Sequence, residues 1–400
     1  MPLEHVFADL GMSPLANSYL TAEQANAMEP FYPLRAYVCS SCFLVQLEEF
    51  ETPDHIFTEY AYFSSYSTSW LEHCRRYVEL VVERFGIDVR SHVVELASND
   101  GYLLQYFHER GVRVLGIEPA ANVAKVALQK GIPTLVEFFG RQTARSLAPD
   151  SAADLLIGNN VLAHVPDLND FVAGMKLLLG PSGVITMEFP HLMRLMEDNQ
   201  FDTIYHEHFS YFSFLTARRV FAKHGLRVFD VEELPTHGGS LRIYVAHAED
   251  QAKPESERAT ELARRERAAG YEDVDTYRAY ARRVQEEKRE ILSFLIELKR
   301  QGLSIAGYGA PAKGNTMLNF CGIGTDFIDY TVDLNPEKQG HLLPGSHIPI
   351  RAPEALRETQ PEVVLILPWN LREEIMEQLS FIRDWGGRFA VRAPRLALAP

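Results

Sequence analysis

The chain has 400 residues, more than one hydrophobic core usually serves, so two or three domains are expected. Hydrophobic residues at 46% and charged residues at 23% are ordinary for a globular protein, and no apolar run approaches the roughly 20 residues that cross a bilayer. The net charge of −15 argues against nucleic acid or anionic membranes as partners, because unpaired Lys and Arg largely hold both.

The N-terminal residues and the number of cysteines bear on the cellular compartment of the protein. Residues 1–10 have neither the basic region nor the apolar run of a secretory signal. Only four cysteines occur, which is not a disulfide framework. We therefore expect a reducing, cytoplasmic setting.

Hydrophobic patterning divides the chain into four parts. Residues 1–60 mix Gly, Pro and aromatics around Cys39-x-x-Cys42 and predict a small loop-and-strand module. Residues 61–250 open with a helix near 70–85 and then alternate short apolar runs with helical stretches, which predicts a parallel α/β sheet. The strands we predict there are His92–Leu96, Val112–Ile117, Pro133–Val136, Asp154–Ile157 and Gly183–Glu188, followed by two antiparallel strands within 226–247.

The last two parts are a connector and a second α/β unit. Residues 251–302 are charged and helix-prone, with an apolar stripe at Leu292, Phe294, Leu295 and Leu298, and predict a solvated helical connector packed on one face. Residues 303–400 carry predicted strands at 304–308, 327–333 and 363–368, with a glycine-rich turn after the first of them.

The first predicted strand of the central sheet ends in a loop suited to a ligand. Ala97 and Gly101 let the backbone approach a ligand closely, while Glu95 and Asn99 can bind an ammonium or an amide group. An acidic strand end suits a cationic amino-acid ligand and would repel a pyrophosphate.

Two further strand ends in the same sheet carry polar side chains. Glu118 ends the second strand, where a carboxylate can accept both ribose hydroxyls, and Asn159 and Asn160 end the fourth. The three signals in this order predict a site for S-adenosylmethionine. The alternative is that Glu118 and Asn159 only cap helices and form turns.

The sequence resembles the sugar C-methyltransferases that act on nucleotide-linked ketodeoxy sugars. Seven separated segments carry the resemblance in the family's order: Pro14–Asn17, Cys39–Cys42, Tyr62–Ser67, Asn159–Asp167, Tyr205–Ser213, His237–Ser240 and Gly307–Thr316.

The resemblance implies a class I methyltransferase domain with a Rossmann-like α/β fold, a zinc-ribbon-like N-terminal module and a second Rossmann-like C-terminal domain that helps to hold the nucleotide-sugar. It also implies that Tyr62 covers the site and that His237 and Asn315 contact substrate.

The zinc module departs from the family's pattern. The family has two Cys-x-x-Cys pairs, and only Cys39 and Cys42 are present, with His5 as a nearby imidazole. A structural zinc normally needs four ligands, so this sequence does not predict a complete zinc site.

Tyr205-His206-Glu207-His208 brings a phenol, two imidazoles and a carboxylate together. The two imidazoles would share one face of a strand and could ligate a metal, but no further donors stand out; plain structural packing is the other alternative. Carbon methylation beside a ketone needs a base with a pKa near neutrality and a hydrogen-bond donor to the enolate oxygen.

These requirements lead to an assignment of roles. His208 is predicted to be the base, Glu207 its partner or orienter, and Tyr205 the hydroxyl donor or alternative proton carrier. His164, on the loop after the fourth strand, is expected to face the methyl donor, and His206 is expected to be only a neighbour. Which group takes the first proton stays open.

An anionic nucleotide-sugar needs local positive charge in this acidic chain. Lys313, at a predicted helix start after the glycine-rich turn, and Arg242, after the His237–Ser240 turn, are the candidates. The alternative for Lys313 is an ordinary surface lysine.

The predicted function is C-3 methylation of a 4-keto-deoxysugar carried by thymidine diphosphate, in a monomer or homodimer, with antibiotic or glycan tailoring as the family's usual setting. One alternative is a small-molecule O-methyltransferase, which needs no enolate stabiliser. The other is a nucleotide-binding or oxidoreductase-like protein, but the loop after Gly307 lacks the third glycine at the expected spacing and Asp333 alone does not restore that fingerprint.

Overall fold

The computed structural model describes residues 3–50, 64–392 and 396–399. The strands are β1 (His5–Ser13), β2 (Tyr32–Val38), β3 (Val45–Leu47), β4 (His92–Leu96), β5 (Arg113–Ile117), β6 (Thr134–Leu135), β7 (Ala153–Asn159), β8 (Leu179–Pro190), β9 (Ser210–Tyr211), β10 (Leu226–Leu234), β11 (Ser240–His247), β12 (Ile305–Tyr308), β13 (Thr331–Val332), β14 (Ile350–Arg351), β15 (Val363–Ile366), β16 (Arg388–Arg392) and β17 (Leu396–Ala399).

The α-helices in these ranges are α1 (Thr68–Phe85), α2 (Leu104–His108), α3 (Ala121–Gln129), α4 (Arg141–Ser151), α5 (Leu168–Leu178), α6 (Leu192–Glu197), α7 (Phe214–Lys223), α8 (Glu257–Ala268), α9 (Val274–Arg300), α10 (Ala312–Cys321), α11 (Ala355–Thr359) and α12 (Arg372–Gln378). None of the helices that the structure describes is both long and apolar enough to cross a membrane.

The chain forms two compact units that do not follow the sequence order of the expected domains. The first unit comprises residues 1–50, 192–208 and 273–400, and the second comprises 51–191 and 209–272. Residues 192–208, expected within the central domain, therefore group with the N-terminal and C-terminal segments. The expected connector is divided as well, with α8 in the second unit and α9 in the first.

The second unit is built on a seven-stranded sheet in the order β10-β11-β8-β7-β4-β5-β6. Strands β4 to β8 are parallel, and β11 runs antiparallel to β8 and to β10. Counted along the chain, the order from the β6 edge is 3-2-1-4-5-7-6 with the seventh strand reversed. This arrangement confirms the class I methyltransferase fold and the antiparallel ending predicted for 226–247.

The parallel strands of this sheet form because their apolar runs are buried on both faces. Every residue of β4 is buried, and Val93 packs in one core with Leu155 and Ile157 of β7. Helix α1 adds Tyr77, Val78 and Val81 to this core. It begins where the Ser67 side chain accepts a hydrogen bond from the Trp70 N–H and ends at Gly86 in a left-handed conformation.

The N-terminal part of the first unit is an antiparallel sheet packed on a helix. Strands β1, β2 and β3 pair in sequence order. Helix α9 buries residues at helical spacing, Tyr277, Tyr280, Val284, Glu287, Ile291, Leu295 and Leu298. The ring of Tyr280 stacks on Phe7 of β1 with centroids 4.6 Å apart. Of the predicted stripe, Leu295 and Leu298 are buried, whereas Leu292 and Phe294 are only partly buried, and the buried face starts further upstream than expected.

The C-terminal part of the first unit is a second α/β sheet with the order β14-β13-β12-β15-β16-β17. Strands β12 to β16 are parallel, and β17 is antiparallel to β16. Counted from β12, this is the order 3-2-1-4-5-6 of a dinucleotide-type sheet, which confirms the second Rossmann-like domain.

A buried ion cluster joins three segments of the first unit. Arg392 of β16 contacts Asp202 at 2.9 Å and Glu287 of α9 at 3.1 Å, and it also donates to the Asn199 carbonyl. All three charged side chains are almost completely buried. The two carboxylates therefore depend on one guanidinium for their compensation.

Replacing this guanidinium tests the contribution of the cluster to stability. Arg392→Met keeps most of the side-chain volume but leaves two buried carboxylates without a counter-ion, so we expect the free energy of unfolding to fall by about 3–5 kcal/mol. Urea unfolding followed by circular dichroism measures this change. The control is Arg264→Met, which removes the exposed Arg264–Glu261 pair and is expected to cost less than about 1 kcal/mol. Equal losses in the two variants would contradict this account.

Candidate active site

The second unit contains a cavity of about 420 Å³ at the carboxyl ends of β4, β5 and β7. Its volume is within the range of small-molecule sites. Six of the residues predicted for the methyl donor or the reaction line it: Ala97, Asn99, Glu118, Asn159, Asn160 and His164. The strand-end signals thus converge on one cavity, because parallel strands end at the same edge of the sheet.

Glu118 holds the loop after β4 in place. Its carboxylate accepts hydrogen bonds from the Asn99 N–H at 2.9 Å and from the Ala120 N–H at 2.8 Å. Burial raises the pKa of Glu118 above its ordinary value, and both backbone donors oppose that rise. The carboxylate therefore has a fixed position on the cavity wall, and its remaining lone pairs can accept hydroxyl groups.

The loop after β4 has an unusual backbone. Ala97 (φ 54°) and Asn99 (φ 50°) both have a left-handed backbone conformation, which residues other than glycine rarely adopt. Gly101 (φ 76°) also adopts it, and a Cβ at Gly101 would lie only 2.5 Å from the Ile132 side chain. Gly101 does not line the cavity, so in this structure glycine is needed there for the turn and for packing.

Glu95 is completely buried and does not line the cavity. Burial raises the pKa of Glu95 well above its ordinary value. Its position behind the loop, away from the cavity lining, differs from the expected contact with the ammonium group of a ligand. The sequence pattern placed Glu95 at the strand end but did not reveal which way it points.

Asn160 lines the cavity of the second unit and contacts His237. The Asn160 Nδ2 lies 3.1 Å from the His237 Nε2, and the His237 ring packs on Trp70 with centroids 5.4 Å apart. The Asn160 Oδ1 is buried and has no hydrogen-bond partner among the residues that the structure describes. Buried acceptors are normally hydrogen-bonded, so a ligand with an N–H donor would fit here. An amino group or an adenine N–H group could supply that hydrogen bond.

Arg242 is not available to a phosphate. Its guanidinium pairs with Glu188 at 2.7 Å and with Glu232 at 3.2 Å, and the residue is 5% exposed. Burial opposes the ionisation of Glu188, but His73 and Arg242 together lower its pKa to about 2. The charge of Arg242 is thus already balanced, which corrects the expectation that it binds substrate.

Tyr205, Glu207 and His208 belong to the first unit, whereas His164 belongs to the second. Tyr62, expected to cover the site, lies outside the described residues.

His208 is held in a defined tautomer. Its Nδ1 lies 2.9 Å from the Thr203 carbonyl oxygen, which can only accept, so Nδ1 carries the hydrogen and Nε2 the lone pair. The Tyr205 ring packs on the imidazole with centroids 4.0 Å apart. A backbone carbonyl thus orients the ring, which corrects the expectation that Glu207 does so.

Glu207 instead bonds to a residue that the sequence did not single out. Its Oε1 accepts a hydrogen bond of 2.6 Å from the Asn17 Nδ2. Burial raises the pKa of Glu207 to about 7, with the Asn17 bond opposing the rise. Asn17 precedes Glu207 by 190 residues. Its place in the segment Pro14–Asn17 was the only sequence signal for it.

His206 contacts the N-terminal sheet. Its Nε2 lies 3.2 Å from the Pro33 carbonyl oxygen, and its ring packs edge-on against Tyr32. Burial lowers the pKa of His206, so it is neutral near pH 7. His206 therefore binds the N-terminal sheet, and its role as a mere neighbour of the working groups stays a prediction.

Lys313 is a partly buried cation of the first unit. Its Nζ donates to the Asn370 Oδ1 at 2.7 Å and lies 4.8 Å from the centre of the Trp369 ring. Burial lowers the pKa of Lys313 to about 8. Asn315, two residues further along α10, is buried, and its Oδ1 has no hydrogen-bond partner in the described part of the chain.

The described residues do not provide a complete metal site. Cys39 and Cys42 are partly exposed, and neither forms a disulfide among the described residues. Across residues 3–50, 64–392 and 396–399, no group of three or more His, Cys, Asp or Glu side chains could hold a metal ion. Two thiols are half of what a structural zinc requires. The alternative of a metal at His206 and His208 finds no support in this part of the chain either.

Comparisons with known proteins agree with this geometry. Residues 70–231 match a family described as "Methyltransferase domain", residues 235–394 match "C-methyltransferase C-terminal domain", and residues 1–57 match "Putative zinc binding domain". The chain is 38% identical to C-methyltransferase NovU of Streptomyces niveus, over 96% of this chain and 91% of NovU.

Two more distant similarities cover only part of the chain. Ubiquinone biosynthesis O-methyltransferase of Rhodopseudomonas palustris is 24% identical over 24% of this chain and 38% of its own length. The solved structure of magnesium protoporphyrin IX methyltransferase from Synechocystis PCC 6803 with bound SAM is 13% identical, with a TM-score of 0.34, over 44% of this chain and 79% of that chain.

The raised pKa of Glu207 predicts a pH dependence of stability. An unfolded glutamate ionises near its ordinary value of 4.5, whereas the folded one retains its proton to about pH 7. The contribution of Glu207 to stability should therefore be largest below pH 4.5 and fall as the pH rises through 7, by about 3 kcal/mol in total.

Glu207→Gln removes this titration while keeping an acceptor for Asn17. We expect the variant to gain up to about 3 kcal/mol relative to the wild type between pH 5 and pH 8, measured by urea unfolding at both values. The control is the exposed Glu337→Gln. A wild-type advantage that grows as the pH rises would contradict the buried, protonated Glu207.

Proposed function

Since this chain belongs to the family of C-methyltransferase NovU and uses S-adenosylmethionine, we propose that it methylates a carbon beside the ketone of a nucleotide-linked deoxysugar. The acceptor is a 4-keto-deoxysugar carried by thymidine diphosphate, and the methyl group is added at C-3. The observation that carries the proposal is an oriented imidazole, His208, that directly follows in the sequence a carboxyl group, Glu207, whose pKa is raised by burial to about 7.

The cavity of the second unit suits the methyl donor. Glu118 would accept the ribose hydroxyls, while Asn99, Asn159 and Asn160 supply amide groups around it. The unpartnered Oδ1 of Asn160 gives a specific position for an N–H donor. S-adenosylmethionine supplies an electrophilic methyl group on a sulfonium and leaves as a neutral thioether.

His208 is assigned as the base. Its Nε2 takes the proton from C-3, and the electron pair of that C–H bond forms the C-3 to C-4 double bond while the ketone electrons move to oxygen. The Thr203 carbonyl oxygen at Nδ1 then stabilises the imidazolium. The enolate carbon takes the methyl group and the ketone re-forms, so one proton remains on His208 for release to water.

Two groups beside His208 can donate a hydrogen bond to the enolate oxygen. Glu207, with a pKa of about 7, is partly protonated at neutral pH and can act as a donor in that form. The Tyr205 hydroxyl is the second candidate, since its ring packs directly on His208. The first choice is Glu207, because burial favours its neutral form over ionisation.

The remaining predicted residues take supporting roles in the proposal. His164 lines the cavity of the methyl donor and acts on that side. His237 adjoins the same cavity through Asn160. Lys313 and Asn315 hold the nucleotide part of the substrate, and the covering role of Tyr62, which lies outside the described residues, stays a prediction from the resemblance.

Exchange of the C-3 hydrogen with deuterium oxide tests the base directly. With the ketosugar nucleotide and no methyl donor, the wild type should exchange that hydrogen, which NMR detects as loss of the C-3 proton signal. His208→Asn should slow the exchange by about 10²- to 10⁴-fold, because a general base contributes that much. His206→Asn is the matched control and should remain within a few-fold of the wild type.

Two results would count against the enolate mechanism. One is the absence of exchange in a wild-type enzyme that still transfers methyl groups. The other is an equal loss in the His206 and His208 variants, since that would indicate a structural effect on the whole segment.

A further inference from the structure

Glu188, near the carboxyl end of β8, is a completely buried carboxylate that binds three separate parts of the second unit. Its pKa is about 2, so it is an anion at neutral pH, and the Arg242 guanidinium at 2.7 Å supplies a compensating charge. The two carboxylate oxygens also lie 2.9 Å and 3.0 Å from the His73 Nε2, and one accepts from the Thr236 Oγ1 at 2.9 Å. These two bonds tie α1 and the turn before β11 to the same carboxylate.

The first connection runs from Glu188 through α1 to the methyl-donor cavity. Because an ionised carboxylate can only accept, the His73 Nε2 carries the hydrogen and donates it to Glu188. The imidazole stacks on the Trp70 ring, with centroids 4.9 Å apart and 21° between the ring planes. Trp70 lines the cavity. Glu188 therefore orients the ring on which a residue of the cavity wall packs.

The second connection runs through the turn between β10 and β11. Three successive residues of this turn have positive φ angles: His237 (55°), Gly238 (89°) and Gly239 (117°). Such a conformation is unfavourable for His237, so the surrounding contacts must hold it. The bond from the Thr236 Oγ1 to Glu188 is one of these contacts, and the bond from the Gly239 N–H to the Thr236 carbonyl oxygen at 2.9 Å is another.

This turn places His237 against a second residue of the cavity wall. The Asn160 Nδ2 can only donate, so the His237 Nε2, 3.1 Å away, accepts its hydrogen. The Asn160 Oδ1 is then directed away from the imidazole, and it is the buried oxygen that lacks a partner among the described residues. The Asn160 N–H also donates to the Glu188 carbonyl oxygen at 2.7 Å. Both the backbone and the amide of Asn160 thus depend on the position of Glu188.

Charge balance in the core does not explain these connections. Arg242 already has a second carboxylate, Glu232, at 3.2 Å. A buried ion pair is also weak evidence of a contribution to stability, since apolar residues of similar volume often replace one without loss. The further side-chain bonds of Glu188 lead instead to partly exposed residues, His73 and Thr236, that contact the cavity wall directly or through one neighbour.

We propose that Glu188 is a positioning residue for the methyl donor. Through His73 it holds Trp70, and through Thr236 and His237 it holds the Asn160 amide with its oxygen available to an N–H group of S-adenosylmethionine. Glu188 does not line the cavity and acts only through these neighbours. The assignment concerns the binding of the methyl donor, so it goes beyond the proposed function and does not depend on the identity of the acceptor.

Calorimetry of the full-length protein with S-adenosylmethionine and S-adenosylhomocysteine tests the second connection. Thr236→Val removes the hydroxyl group with little change in volume and should weaken the binding of both ligands about tenfold, because a hydrogen bond to a charged group is lost. Thr236→Ser keeps the hydroxyl group and should restore the wild-type affinity. The exposed Thr260→Val in α8 is the matched control and should bind both ligands like the wild type.

A double-mutant cycle tests whether Thr236 acts through His237. His237→Asn is too short to reach Asn160 but tolerates the left-handed backbone. In the His237→Asn background, Thr236→Val should change the affinity for S-adenosylmethionine less than twofold, since residues that act through one another are not additive. A full further tenfold loss in this background would overturn the assignment.

The first connection has its own variant. His73→Phe keeps the ring that stacks on Trp70 and removes the bond to Glu188, so S-adenosylmethionine should bind several-fold more weakly. The exposed His108→Phe at the end of α2 is its control and should bind normally.

Two further results would overturn the assignment. One is wild-type affinity in both Thr236→Val and His73→Phe. The other is a smaller number of binding sites per chain with unchanged affinity, which indicates partial unfolding and not a displaced cavity wall. Calorimetry measures the two quantities separately and involves neither the acceptor nor the proposed base, so failure of the enolate mechanism would leave this test intact.

Discussion

Parallel strands end in loops whose backbone N–H groups must find acceptors, and in both α/β sheets a single carboxylate meets that need. Glu118 and Asp333 each accept one hydrogen bond from an N–H group of the loop after the first strand of their sheet. Each also accepts one from the N–H group of the residue two positions further along the chain. The carboxylates are thereby held at the carboxyl edge of each sheet, where ligands bind. The cavity of the second unit lies at such an edge, and Glu118 is part of its lining.

Buried charge in this protein is of two kinds, and the difference separates structure from chemistry. Arg242 and Arg392 are each paired with two carboxylates, so their charges are balanced and they hold segments together. Among the described residues, Glu207 and Lys313 hydrogen-bond to neutral amides, and burial moves the pKa of each toward neutrality. Groups of the second kind are suited to exchanging protons or binding a charged ligand.

The elements of the fold were largely predictable. A short continuous apolar run such as 92–96 is typical of a parallel strand that is buried on both faces of its sheet. The strand-end residues Glu118, Asn159 and Asn160 were predictable for the same reason. The partners of the reactive groups were not, since Asn17 and Glu207 are distant in sequence and Thr203 acts through its backbone. Arg242 was misjudged because a sequence shows a charge but not the carboxylates that neutralise it.

The central claim is that an oriented base creates a carbon nucleophile beside a ketone. The most direct measurement is transfer of a ¹³C-labelled methyl group from S-adenosylmethionine to a thymidine-diphosphate-linked 4-keto-deoxysugar, followed by NMR of the product. The account predicts a labelled methyl group bonded to C-3, with the ketone at C-4 retained. A labelled methyl group on oxygen would contradict it.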